Sequence, residues 1–198
     1  MKQFAAVLFV LVCCTAGSAG QRPNVLWIFS EDLSPYMGCY DDPVNADHTP
    51  AIDQLASEGA LFKRAFMPAP VCSACRSAII TGVMQTTTGT HQHRSSRAIK
   101  GVVPPDARIS LGGLKTIPEL MRDAGYFTFN SGKDDYNFHY DRRKLYTVGT
   151  PPNYQAGMNG AQGNHAEHNG SFTEDTWNAR EDKDQPWFGQ IEPENIPW

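Results

Sequence analysis

Apolar side chains run almost unbroken from Asn24 through Val25, Leu26, Trp27, Ile28 and Phe29 to Ser30, the pattern of a strand buried on both faces. The run stops at Glu31-Asp32. Thr49, Pro50, Ile52, Leu55, Ala56 and Gly59 spell a helix with an N-cap, a proline in its first turn and a glycine stop. Leu61 to Met67 carries a strand pattern, and Ser73 to Ile80 predicts a helix whose first turn holds the Cys72 to Arg76 segment. Thr116-Ile117-Pro118-Glu119 is a capping-box sequence followed by the apolar positions Leu120, Met121 and Ala124 and the stop Gly125. Tyr126 to Ser131 and Trp187 to Ile191 read as further strands. Strands alternating with helices predict an α/β fold with a largely parallel sheet. In such sheets ligands bind beyond the carboxyl ends of the strands, where Glu31-Asp32 and Lys133 both fall. From Ile80 to Thr116, and from Asp134 onward apart from Trp187 to Ile191, periodicity is poor, and long loops are expected.

The amino terminus alters this picture. Met1-Lys2, the apolar stretch Phe4 to Cys14 and the small residues Thr15 to Gly20 have the three parts of a secretory signal peptide. The apolar stretch is shorter than the ~20 residues a membrane-spanning helix needs. Residues 1–20 are therefore expected to be a signal peptide and 21–198 the exported chain, periplasmic or extracellular, with no stable membrane insertion. Lys+Arg 17 against Asp+Glu 21 gives a net charge of -4, which removes the basic footprint of a nucleic-acid binder. With the leader removed, three cysteines remain, Cys39, Cys72 and Cys75, an odd number that leaves one over for a role outside a disulfide.

Two stretches carry candidate chemistry. Adjacent carboxylates such as Glu31-Asp32 at a strand end suit a hard cation, although solvated loop acids give the same sequence. A cysteine opening a helix, as Cys72 does, sits where backbone N–H groups favour an anion, and Arg76 lies one turn on. Cys72 and Cys75 also have a zinc-like spacing, but His91-x-His93 is too tightly spaced for the second half of such a site. A reactive cysteine, a disulfide, buried structural thiols and, least favoured by spacing, a zinc site all remain open from the residues alone.

Cys72-x-Ala74-x-Arg76 with Thr81-Gly82 downstream resembles the signature of the type I sulfatases, Cys-x-Pro/Ala-x-Arg with a following Thr-Gly. Further blocks agree in order: Arg22 to Ile28 with Glu31-Asp32, Gly38-Cys39-Tyr40, Thr49 to Ala56, Glu119-Leu120 with Ala124-Gly125-Tyr126, and Gly132-Lys133. The likeness spans about residues 22–133 and returns weakly at Gln185 to Phe188. It implies an alkaline-phosphatase-like fold, a largely parallel mixed sheet flanked by helices, present here in truncated form as the amino-terminal part of a sulfatase domain. It also implies that a separate formylglycine-generating enzyme oxidises Cys72 to formylglycine, whose hydrate attacks sulfur. Glu31, Asp32 and the modified Cys72 would hold Ca²⁺, Arg76 would steady the formylglycine and Lys133 would contact sulfate. Fixed positive groups around a sulfuryl centre stabilise the charge that builds on its oxygens.

The departures from the pattern bear on activity. Glu31 stands where an Asp is usual, and Lys133 is followed by Asp134-Asp135 where many relatives have Trp-His. His91 and His93 are the candidates to replace that histidine as substrate contacts. The family's other metal ligands, and its later His and Lys, have no counterpart in this sequence, so the 198 residues alone are expected to be a poor catalyst. The substrate expected is a sulfated glycan or a small sulfate ester or sulfamate, Glu31-Asp32-Leu33-Ser34-Pro35 being most similar to the sulfamidase and heparan-sulfatase-like branch. Two other functions fit the scaffold. A phosphodiesterase or phosphatase would carry Thr or Ser in place of Cys72, and a non-catalytic remnant would bind sulfated ligands without turning them over.

Overall fold

The computed structural model describes residues 22–30, 33–92, 109–148 and 176–192. Three strands, β1 (Val25–Ile28), β2 (Phe127–Ser131) and β3 (Trp187–Ile191), form one parallel sheet in the order β1-β3-β2. Ile28, Ile191 and Ser131 lie level at one end, so all three carboxyl termini share one edge. The helices are α1 (Pro50–Glu58), α2 (Cys72–Thr81), α3 (Gln85–Thr88), α4 (Ile117–Asp123) and α5 (Arg142–Leu145). Thr49 precedes Pro50 at the start of α1 and Gly59 ends it, while the Glu119 carboxylate accepts the Thr116 backbone N–H at 2.8 Å in the expected capping box.

The two faces of the sheet bury different things. Trp27, Asn130 and Gln190 are register neighbours on one face, which is covered by α2 and the segment after β2. Ile80, Tyr136, Phe138, Tyr140, Leu145 and Tyr146 form the core there, each side chain contributing ~1.5–3 kcal/mol if its burial is complete. The Tyr136 and Tyr146 hydroxyls lie 2.6 Å apart, and both reach Gln190 Oε1, at 3.2 and 2.9 Å. Burial, reinforced by Asp134, pushes the Tyr136 phenol well above its ordinary range. The opposite face holds Phe127, Phe129 and Ile191 against Trp177 and Trp187, whose rings stack at 5.3 Å.

A buried ion pair anchors the segment after β2. The Asp134 carboxylate accepts from Asn130 Nδ2 at 2.6 Å, from the Tyr140 hydroxyl at 3.1 Å and from Arg142 Nη1. Arg142 Nη2 donates to the Asn130 carbonyl at 2.7 Å. Asn137 joins the segment to α2, its backbone N–H donating to Ser77 Oγ at 2.8 Å.

Three expectations need correction. Residues 134–148 are not loose connection but largely buried; polar residues among their alternating aromatics are held by partners, Asp134 by Asn130, Tyr140 and Arg142 nearby and Asn137 by the distant Ser77. Leu61 to Met67 forms no strand, since no described strand offers it a ladder, and Phe62 and Phe66 lie exposed. β1 is not buried on both faces either. As an edge strand among the described residues it leaves Leu26 and Ile28 open to solvent on the Phe129 face. No helix among the described residues is long and apolar enough to cross a membrane.

Gly189, in the middle of β3, is required by packing. A Cβ there would stand under 3.0 Å from three atoms of the Phe129 ring. Gly189→Ala is expected to destabilise by ~1–3 kcal/mol through overpacking, read as a lower urea midpoint at unchanged m-value. Gly189→Ala combined with Phe129→Leu should recover part of that loss, because the clash is with this one ring.

Candidate active site

α2 begins at Cys72 because Val71 is extended (φ -152°, ψ 137°) and brings no side-chain oxygen to the first-turn N–H groups. The helix runs into the core on small residues. Ala74 and Ala78 are buried, and the buried hydroxyls of Ser77 and Thr81 donate to carbonyls one turn back, Ser73 at 2.6 Å and Ser77 at 2.7 Å. Cys72 is half-buried at the helix start, whereas Cys75 points into the protein. Gly82 ends the helix in the left-handed region at φ 66°.

Arg76, one turn or ~6 Å along the axis from Cys72, reaches the carboxyl edge of the sheet. Its Nη1 donates to the Lys133 carbonyl at 2.8 Å and its Nη2 to Glu192 Oε1 at 2.6 Å. Its guanidinium carbon stands 5.5 Å from the centre of the Phe29 ring, a cation–π distance. Residues following all three strands therefore meet at Arg76: Phe29 after β1, Lys133 after β2 and Glu192 after β3. The Lys133 ammonium is 3.6 Å from Asp135 Oδ2, and both side chains are largely enclosed. Asp135 holds that position in the left-handed region at φ 50°, uncommon for a residue other than glycine.

Of the residues singled out from the sequence, Arg76 and Lys133 are thus brought to one edge by α2 and β2, with Cys72 one turn before Arg76 at the start of α2. Glu31-Asp32 and His93 lie outside the described residues. His91 is exposed beyond α3, on a stretch whose Thr90 carbonyl accepts from Asn137 Nδ2 at 3.0 Å. No disulfide joins Cys39, Cys72 and Cys75 to one another. Among the described residues no group of three or more His, Cys, Asp or Glu side chains gathers round one point, so a zinc site built on Cys72 and Cys75 has no support there. Glu192 is the residue that sequence reasoning missed. It follows a strand just as Lys133 does, and that position was the signal.

The two α2 thiols differ in reactivity for a physical reason. Burial pushes the Cys75 thiol up, the Arg76 charge only partly opposing it. At mildly alkaline pH iodoacetamide is expected to label Cys72 in the native protein and to reach Cys75 only on unfolding, as peptide mass mapping over time would show. Equal labelling rates would contradict this assignment of the helix faces.

The family model described as Sulfatase matches residues 23–191. The chain belongs to the sulfatase family. It is 30% identical over 119 residues to an ulvan-active sulfatase of Formosa agariphila, covering 60% of this chain and 20% of that protein. With human iduronate 2-sulfatase it shares 35% over 128 residues, 62% of this chain and 21% of the relative. Human arylsulfatase A is 34% identical over 130 residues, 63% and 23% of the two chains. This sulfatase-family chain thus spans about one fifth of the length of these relatives. A solved Bacteroides thetaiotaomicron structure described under the metabolism of multiple glycosaminoglycans superposes with a TM-score of 0.56 at 18% identity, over 89% of this chain and 45% of that one. A second structure from that organism gives 0.51 at 17%. The fold is alkaline-phosphatase-like, with a parallel sheet and flanking helices.

Proposed function

We propose that this chain carries the nucleophile side of a sulfuric ester hydrolase acting on a sulfated glycan or a related sulfate ester or sulfamate. The observation that supports the reading most is Cys72 at the start of α2 with Arg76 directed to Lys133 at the carboxyl edge of the sheet. Relatives named for ulvan and for iduronate 2-sulfate favour a glycan as substrate. A cysteine at the helix start favours sulfate over phosphate chemistry, since the phosphate-cleaving relatives of this scaffold would place Thr or Ser there.

In this reading a formylglycine-generating enzyme oxidises Cys72 to formylglycine, whose aldehyde adds water, and one hydroxyl of that hydrate attacks sulfur. The first turn of α2 presents backbone N–H groups to the anionic substrate. Lys133, whose ammonium stands 3.6 Å from Asp135, would share its charge with sulfate oxygens at the same edge, and Arg76 would fix the geometry around residue 72. Ca²⁺ fits the residues present in donor chemistry: Phe29, packed on Arg76, leads the chain directly into Glu31 and Asp32, two hard oxygen donors. Glu31, Asp32 and the converted Cys72 would hold it. When bound, the ion neutralises charge on the sulfuryl oxygens. His91 and His93 remain candidates for contacts to the sugar. Residues 1–20 act as the export signal, which places the chain in the oxidising compartment outside the cytosol.

Two carboxylates and one modified side chain fall short of the ~6–8 oxygen ligands Ca²⁺ takes, so water would have to supply the rest and binding would be weak. Expressed with its maturation enzyme and assayed on an aryl sulfate and a sulfated disaccharide, residues 21–198 are expected to turn over more than tenfold more slowly than an intact sulfatase, and a chelator should remove the residual activity. Turnover within tenfold of the intact enzyme would contradict the argument from donor count. Ca²⁺-independent hydrolysis of a phosphate ester in preference to the sulfate would overturn the functional reading itself.

A further inference from the structure

The geometry points to Glu192 as a positioning residue that fixes Arg76 and the backbone at Lys133, an inference that rests on the sulfatase reading of the same site. Four hydrogen bonds close a ring across three elements. Glu192 Oε1 accepts from Arg76 Nη2 at 2.6 Å, and Oε2 accepts the Lys133 backbone N–H at 3.0 Å. Arg76 Nη1 donates to the Lys133 carbonyl at 2.8 Å, and the Glu192 N–H donates to the Ser131 carbonyl at 3.0 Å. Both carboxylate oxygens are thereby used, one on a side chain of α2 and one on the backbone leaving β2.

Enclosure makes this ring stiff. The Arg76 and Glu192 side chains are each 11% exposed, so water competes little for their hydrogen bonds. The Phe29 ring covers the guanidinium, restricting it further. Gly132 is shaped to the contact: it sits at φ 151°, and a Cβ on it would lie 2.7 Å from Glu192 Cβ. The backbone ahead of Lys133 can therefore close on Glu192 only because residue 132 lacks a side chain.

A carboxylate beside a sulfate pocket is otherwise a liability. By charge alone Glu192 repels the substrate, and its removal would strengthen anion binding. Positioning predicts the opposite sign. Without the Glu192 acceptors the guanidinium can turn about Nε–Cζ and the Lys133 backbone loses its tether, so neither group keeps its place at the edge of the sheet. The two effects of one substitution are thus separable by the direction in which sulfate affinity moves.

The test uses the full 198-residue chain, uniformly ¹⁵N-labelled, with Glu192→Gln and Glu192→Asp beside the parent. Melting by circular dichroism first identifies which variants fold, and Glu192→Asp serves where Glu192→Gln does not. In the parent the Arg76 Nη signals should be separate, reporting hindered rotation. In Glu192→Gln they should merge, and titration with inorganic sulfate should give a dissociation constant about tenfold higher, the loss of roughly one charge-assisted hydrogen bond. Glu192→Asp should fall between the two. Separate Nη signals in Glu192→Gln, or sulfate affinity equal to or tighter than the parent's, would overturn the inference. A parent chain that binds no inorganic sulfate would count against the sulfatase reading instead, while the Arg76 signals would still decide whether Glu192 holds the guanidinium.

Discussion

Asp134→Ala is expected to lower stability by ~3–5 kcal/mol, the cost of leaving a buried charge without its partner. Arg142 is 2% exposed, so its guanidinium cannot turn to water when the carboxylate is removed. Three donors lose their acceptor together: Asn130 Nδ2, the Tyr140 hydroxyl and Arg142 Nη1. The companion change Arg142→Met should cost less. It removes the cation, leaves Asp134 with the Asn130 and Tyr140 donors, and puts a flexible apolar chain near Tyr146, over whose ring the Arg142 guanidinium now lies at 5.0 Å. Urea unfolding of both variants and of the double variant Asp134→Ala/Arg142→Met checks this. The double variant should be more stable than Asp134→Ala alone, because no unpaired charge remains. Since the segment closes over α2 through Asn137 and Ser77, Asp134→Ala should also loosen the site.

Cys72→Ala is expected to abolish sulfate-ester turnover to buffer background while leaving the melting temperature almost unchanged. Cys72 is half-buried at the mouth of α2, and removing its sulfur opens no cavity in the core. Cys75→Ala should behave in the opposite way. Cys75 is 7% exposed, so shortening it costs packing, while activity per folded molecule is retained. Parallel measurement of turnover and thermal unfolding on the two variants separates these roles. Loss of turnover in Cys75→Ala with none in Cys72→Ala would reverse the assignment of the nucleophile.

The parts of the molecule legible in the sequence are those whose reasons are local. β2 and β3 follow from apolar runs, α4 from its capping box and proline, α1 from its proline and glycine stop although the Thr49 hydroxyl donates to Asp53 instead of capping, and α2 from the spacing that also carries the family signature. Residues 134–148 were not legible in this way. Tyr136, Phe138 and Tyr140 alternate like a strand, but Asp134 and Asp135 before them and Asn137 between them are buried too, and Asp134 and Asn137 find partners at Asn130, Arg142 and Ser77. Such satisfaction of buried polar groups depends on the tertiary arrangement, which no window of sequence contains. Glu192 escaped for a related reason. That β3 lies between β1 and β2 is a fact of strand order, and only that order sets the residue after β3 between Phe29 and Lys133. In the reverse direction, Leu61 to Met67 has the composition of a strand without a neighbour to make it one.

If Cys72 is the precursor of the nucleophile, its chemical state after maturation must differ from that of Cys75. Residues 21–198 co-expressed with a formylglycine-generating enzyme are to be digested and the peptide spanning residue 72 weighed and treated with an aldehyde-reactive probe. The expected product is a peptide lighter than the thiol form that takes up the probe at position 72, with Cys75 still a thiol. Recovery of Cys72 as an unmodified thiol, or joined to Cys75 in a disulfide, would contradict it.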